Sequence, residues 1–215
     1  MTSIGIFGAS GFAREVGDIA LELGHDVVYI GRDEAERAAW TFPGDVIVEA
    51  ELDDELDRRT GLEFAIGIGD NHVREGVARR HAGRRRFRTL IHPSATFGRD
   101  QRERIEERSG VIVCAGVRFT NAIEVGDFCI FNLNATVGHD VVVEEFVNVA
   151  PGVAISGNVH LERGVMVGTG AAINQGTPAA KLTVGANTQI GSGAVVTKDC
   201  DPDAVYVGIP ARRIR

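Results

Sequence analysis

Aliphatic or phenylalanine side chains fall at positions 113, 119, 125, 131, 137, 143, 149, 155, 161, 167 and 173, an unbroken spacing of six. After a five-residue insertion over 177–181 the spacing resumes at Val184, Ile190 and Val196. An amphipathic helix repeats near 3.6 and a half-buried strand near two, so neither produces this series. It is the hexapeptide signature of a parallel β-helix, in which each repeat supplies one flat side and one corner of a triangular coil. One aliphatic side chain per repeat is expected to fill the axis, with Gly or Asn permitting the corner. A small residue often follows the aliphatic one, as at Gly126, Gly138, Gly168, Gly185 and Gly191. Composition agrees, because 27 of the 215 residues are glycine, roughly twice the ordinary share. Charge is also scarce. Only eleven residues over 111–199 are Asp, Glu, Lys or Arg, far fewer than a solvated helical bundle carries.

The first ninety residues have a different texture, which changes after His92-Pro93. Apolar runs predict strands over 3–7, 27–30, 46–49 and 64–68, and helical spacing predicts helices over 12–23, 53–59 and 71–80. Strands separated by helices form a parallel sheet, so residues 1–92 read as a small α/β domain and 93–215 as the coil. Two charged stretches flank the boundary. Six arginines lie within 79–88, read as a solvated helix end and loop with a phosphate patch as the alternative. Eight charges over 99–108 read as a solvated loop or a single helical turn.

Several function classes are excluded at this point. The net charge of −7 argues against nucleic acid as a partner, since phosphate binding needs an excess of Lys and Arg. No apolar run approaches the length of about 18 residues that reads as a membrane span. The N-terminus lacks the basic and apolar regions of a secretory leader. Cys114, Cys129 and Cys200 are an odd set without a CxxC pair, which points to a reducing cytoplasm rather than a disulfide framework or zinc.

Gly8-Ala9-Ser10-Gly11 joins a predicted strand to a predicted helix. Such a turn lets a phosphate approach the backbone and meet free N–H groups at the helix start, or it simply packs helix on strand. A nicotinamide enzyme wants an acidic residue after the second strand, and Gly31-Arg32 stands there instead. On the coil, His139 follows the axis-filling Val137 by two residues and is expected to point outward beside Asp140. A zinc carbonic anhydrase on a similar coil needs three histidine ligands, and only His139 and His160 are available, so no metal is expected.

The stretches 8–16 (GASGFAREV), 66–71 (IGIGDN), 90–94 (LIHPS) and the hexapeptide block ending at 207–212 (VGIPAR) occur together and in order. In this the chain resembles the bacterial sugar acetyltransferases of the sialic-acid O-acetyltransferase and nucleotide-4-amino-sugar N-acetyltransferase type, over nearly its whole length. The resemblance implies a Rossmann-like domain that holds a sugar nucleotide, then a left-handed parallel β-helix. It also implies a homotrimer with acetyl-CoA between neighbouring coils. The implied reaction is N-acetylation of a nucleotide-linked amino-deoxysugar by direct attack on the thioester, with O-acetylation of a sialic-acid-like sugar as the alternative.

The same resemblance assigns residues. His139 falls at the family's catalytic position as general base, suited by an ordinary pKa of about 6.5. Asp140 tunes it; by position rather than by resemblance, Asn132, seven residues earlier and expected on the same face, is a candidate for holding the imidazole or the acceptor. The backbone N–H near Gly157 meets the thioester oxygen as an oxyanion donor. Asn148 stands where the family often has a histidine beside the acetyl-CoA arm. Thr169 and Ser192 align with pantetheine contacts, and Arg212 approaches the coenzyme phosphates unless the basic tail is merely solvated. Ser10, Gly11, Phe12, Gly31, Arg32 and Gly69 fall on the sugar-nucleotide side. Phe12 replaces a usual histidine there, and Gly31-Arg32 replaces a usual acidic pair.

Overall fold

The computed structural model describes residues 2–54 and 61–215. Strands β1 (Ser3–Phe7), β2 (Asp26–Gly31), β3 (Val46–Val48) and β4 (Glu63–Ile66) form a parallel sheet in the order β3-β2-β1-β4. Helix α1 (Gly11–Glu22) follows β1, α2 (Glu34–Ala39) follows β2 and α3 (Asn71–His81) follows β4. The helix expected over 53–59 falls mostly outside the described residues. Sequence reading missed α2, and the reason is physical: it buries no side chain, so it carries no apolar period. Its start is fixed instead by Asp33, whose carboxylate accepts from the Glu36 N–H at 3.0 Å. Helix α1 buries Val16, Ile19 and Ala20 as expected and lies close against the sheet, where a Cβ at Gly67 would come within 2.5 Å of Ala13 Cα.

From Leu90 onward the chain winds into a three-sided coil of two- and three-residue strands, with faces of eight, six and four strands. Its first strand, Leu90–Ile91, lies just before the boundary placed at residue 92. Register repeats every three sides, pairing Ile130 with Asn148, Thr136 with Ala154 and Val142 with His160. The α/β domain followed by a left-handed parallel β-helix is the fold expected from the sequence.

All of the period-six residues from Val113 to Val196 are buried, but they do only half of the filling. A second inward series, two positions earlier, runs through Val117, Ile123, Cys129, Ala135, Val141, Val147, Val153, Val159 and Val165. One axis-filling side chain per repeat was therefore an undercount, because each short strand is bracketed by two inward residues. The corners also differ from expectation. Left-handed backbone occurs at Asn134, Asp140, Gly152, Asn158 and Gly164, but also at Ala122, Phe128 and Phe146. The rings of Phe128 and Phe146 stack at 5.1 Å. Gly138 serves another purpose: a Cβ there would sit 2.6 Å from the Gly157 nitrogen on the next turn of the coil.

The charged stretch over 99–108 is more than a solvated loop. It forms α4 (Gln101–Glu106), which buries Ile105 against the coil core. The Gln101 amide donates to Ile123 O at 2.7 Å and accepts from Ile123 N at 3.0 Å. The first turn of the coil thus receives an apolar and hydrogen-bonded cover, which an open β-edge requires. The arginines over 79–88 are paired rather than massed. Arg79 meets Glu75, Arg80 meets Glu49, Arg84 and Arg85 meet Asp53, and Arg86 and Arg88 meet Glu63.

The two domains share an apolar cluster in which Ala13, Val16 and Ile19 of α1 pack with Leu90, Ile112 and Ile130 on the outside of the eight-stranded face. All three cysteines are free and buried. Burial pushes the Cys114 and Cys129 thiols up to about 12 and Cys200 to about 11. Among the described residues no helix is long and apolar enough to cross a membrane.

Candidate active site

The expected sugar-nucleotide residues gather only in part. A crevice of about 200 Å³ opens at the carboxyl ends of β1 and β2, lined by Gly8, Ala9, Ser10, Arg32, Glu36, Glu49 and Arg80 among others. This is where an open α/β sheet receives ligands. Gly8 has φ of 120° and requires glycine, whereas a Cβ at Gly11 would meet only the tip of Arg14. Ser10 caps α1 without a side-chain hydrogen bond, so its hydroxyl stays free at the rim. Phe12 is placed elsewhere: it packs on the interdomain apolar cluster. Gly31 is buried at the end of β2, with its Cβ position 3.5 Å from the Glu36 Cβ. Arg32 is held by Asp33 at 3.1 Å and Glu36 at 3.4 Å. The carboxylates nearest the end of β2 are those of Asp33, the cap of α2, and of Glu36 within it. Burial alone would raise the Glu49 carboxyl, but hydrogen bonds from Arg80 and His81 hold it below its ordinary range.

On the coil, β11 (Thr136–Val137) ends in a corner whose residue Asp140 has φ of 59°. This turn throws His139 outward, 50% exposed, with Nδ1 2.7 Å from Asp140 Oδ2. A carboxylate only accepts, so Nδ1 carries the hydrogen, and in the neutral ring Nε2 presents its lone pair. The ring lies against Gly157 on the next turn, where a Cβ would come 2.5 Å from Nε2, so only glycine fits. Among the described residues no acceptor is paired with the Gly157 N–H. A free imidazole nitrogen and a free backbone donor therefore share one coil edge.

The other coil residues lie apart from this pair. Asn132 follows β10 (Ile130–Phe131) on the eight-stranded face, one corner before His139, so the expectation of a common face is corrected. The strand between them turns the chain through a full side of the triangle. Its amide oxygen accepts from Leu133 N at 2.7 Å. Asn148 is 6% exposed and donates to Gly69 O at 2.7 Å, which places both at the joint between the domains. Thr169 and Ser192 are exposed on neighbouring turns of the corner that also carries Asn132, linked through the Gly193 N–H to Thr169 O bond of 2.8 Å. Arg212 is exposed near the C-terminal end of the eight-stranded face. Between the two corners the middle of the six-stranded face presents the small side chains of Thr136, Ala154 and Ala172, with Arg118 before them and Val195 after. Sequence reading missed Glu36 and Glu49, which share no motif, and took Arg80 only as part of the 79–88 stretch. Among the described residues no group of three His, Cys, Asp or Glu side chains is arranged to hold a metal ion.

An α/β domain followed by a left-handed parallel β-helix makes the chain similar to sugar acetyltransferases. Residues 3–81 match the family described as the PglD N-terminal domain. The chain is 29% identical over 107 residues to the GDP-perosamine N-acetyltransferase of Escherichia coli O157:H7, a match covering 50% of this chain and 48% of that protein. The matched stretch thus spans about half the length of this curated relative. Two solved structures align over nearly everything. Perosamine N-acetyltransferase from Caulobacter crescentus, a variant in complex with CoA and GDP-perosamine, superposes with a TM-score of 0.87 at 25% identity, covering 100% of this chain and 98% of that one. The acetyltransferase domain of PglB from Neisseria gonorrhoeae, in complex with acetyl coenzyme A, gives 0.84 at 26% identity, covering 99% and 98%.

Proposed function

We propose that this protein transfers an acetyl group from acetyl-CoA to the amino group of a nucleotide-linked amino-deoxysugar. The observation that carries the reading is the coil edge where Nε2 of His139 lies against Gly157, whose N–H has no acceptor among the described residues. In this reaction the amine nitrogen attacks the thioester carbonyl carbon while Nε2 takes its proton. The electron pair moves to the carbonyl oxygen, which the Gly157 N–H receives. As the pair returns, the C–S bond breaks, and the imidazolium delivers its proton to the departing thiolate. The products are the N-acetyl sugar and CoA thiol. Asp140 keeps the imidazole in the tautomer this sequence needs. The crevice at the carboxyl ends of β1 and β2 takes the nucleotide, with Ser10, Arg32 and Arg80 at its rim.

One coil does not bring Thr169, Ser192 and Arg212 to His139. A homotrimer supplies the missing geometry by setting the Thr169–Ser192 corner of one copy beside the His139 corner of the next. The small side chains on the six-stranded face support such close approach. A cytoplasmic location agrees with three free, buried thiols.

The test offers acetyl-CoA with GDP-perosamine, and separately with sialic acid and with a nucleotide sugar bearing a hydroxyl in place of the amine. Thiol release is expected with the amine acceptor only. Its rate should rise with pH through neutrality, because only the neutral amine carries a lone pair. Release with a hydroxyl acceptor alone would replace N-acetylation by O-acetylation, and release with none would remove the activity.

A further inference from the structure

The insertion over 177–181 sits on the same coil edge as His139, one turn above Gly157, whose carbonyl accepts from Gly176 N at 3.1 Å. It is a closed turn, since Thr177 and Ala180 exchange backbone hydrogen bonds of 2.9 and 3.2 Å. Asn158, the left-handed corner residue directly after Gly157, ties it down. The Asn158 amide Nδ2 donates to Thr177 O and, at 3.3 Å, to Ala180 O. The Asn158 backbone N–H donates to His139 O at 2.8 Å. Lys181 closes the network from the other side. Its ammonium donates to the Asp140 carbonyl and to Asn158 Oδ1 at 3.2 Å. Asp140 and Asn158 thus belong to successive turns of the coil, and one cation clamps both.

We infer that Lys181 and Asn158 are positioning residues for the His139–Asp140 pair, and that the insertion is part of the active site. The inference rests on the acetyltransfer reading above. Asp140 holds its carboxylate against Nδ1 only while its own corner keeps its orientation, and that corner's carbonyl is what Lys181 grips. Asn158 fixes the spacing between the His139 turn and the Gly157 turn, so it sets how Nε2 lies relative to the oxyanion donor. The Lys181 ammonium faces the neutral oxygens of the Asp140 carbonyl and the Asn158 amide.

The test compares Lys181→Met, Lys181→Arg and Asn158→Ala with the parent protein and with His139→Ala, using acetyl-CoA and GDP-perosamine. Lys181→Met keeps the aliphatic stem and removes the ammonium. Its kcat is expected to fall about 10-fold or more, since a misplacement near 1 Å at a reacting group is worth up to about 100-fold. The KM for acetyl-CoA should change by less than about 2-fold, the split expected when only transition-state alignment is lost. Lys181→Arg should recover most of kcat, and Asn158→Ala should resemble Lys181→Met. Thermal unfolding reports folding, and if Asn158→Ala fails to fold, the Lys181 pair decides alone. Parent-like kcat in a folded Lys181→Met protein, with His139→Ala inactive, overturns the inference and leaves the acetyltransfer reading standing. Parent-like kcat in His139→Ala overturns that reading and this inference with it.

Discussion

Replacing His139 with alanine should lower kcat about 100- to 10,000-fold, the usual range for a positioned general base. The KM for acetyl-CoA should stay close to the parent value, because in the proposed reaction the imidazole acts on the proton that leaves the amine and not on ground-state binding. Stability should move by no more than about 0.5 kcal/mol, since the side chain is half exposed and its one hydrogen-bond partner among the described residues is Asp140. A Gly157→Ala variant provides the matching loss from the other side, because the added methyl would occupy the space of the ring. Steady-state kinetics and urea unfolding on the same preparations separate the two effects. Unchanged turnover in His139→Ala, with intact folding, would remove the imidazole from the mechanism.

Replacing Arg74 with methionine should be the most destabilising single change at the domain joint. Arg74 is fully buried in α3, yet among the described residues no carboxylate touches its guanidinium. Nε donates to Phe128 O at 2.9 Å and Nη1 to Ile68 O and Gly69 O at 3.1 and 3.0 Å. Nη2 donates to Asn71 Oδ1 and Phe146 O, both at 2.8 Å. Five donors thus meet five oxygens on both sides of the joint. Burial pushes its pKa down to about 10, which still leaves it charged at neutral pH. Methionine fills the volume but strands buried acceptors, each at a cost of roughly 1–3 kcal/mol. The loop that Arg74 grips also carries the Gly69 carbonyl bonded by Asn148. The KM for the sugar nucleotide should therefore rise along with the loss of stability. Chemical denaturation should show a lower midpoint for Arg74→Met and a smaller loss for Arg74→Lys, which retains three donors.

The coil was legible because its period is enforced by geometry. A side every six residues must present an inward side chain, so 113 to 196 announces itself. The second inward series was hidden by its smaller members, such as Ala135 and Cys129, which do not stand out as core. His139 was legible for the opposite reason, as a titratable group in a stretch with no structural need for one. What escaped notice depends on long-range packing. Arg74 reads as one more arginine on a basic helix, and nothing in the chain says that its fork will meet Phe128 and Phe146. Glu36 enters the crevice from a helix too exposed to carry a pattern. Asn132 was misplaced because counting along a triangular coil by seven residues crosses a corner, which linear spacing does not reveal. Lys181 lay in a segment that broke the repeat, and breaks in a repeat are where a coil can add function.

The central claim is that a bound thioester meets His139 and Gly157 on one coil edge. The most direct measurement is a crystal structure of the protein with CoA, with the oligomer intact. The account predicts the CoA sulfur in van der Waals contact with Nε2 of His139, with the pantetheine running toward Thr169 and Ser192 of an adjacent copy. Coenzyme lodged away from that edge, or an imidazole turned from it toward solvent, would contradict the account.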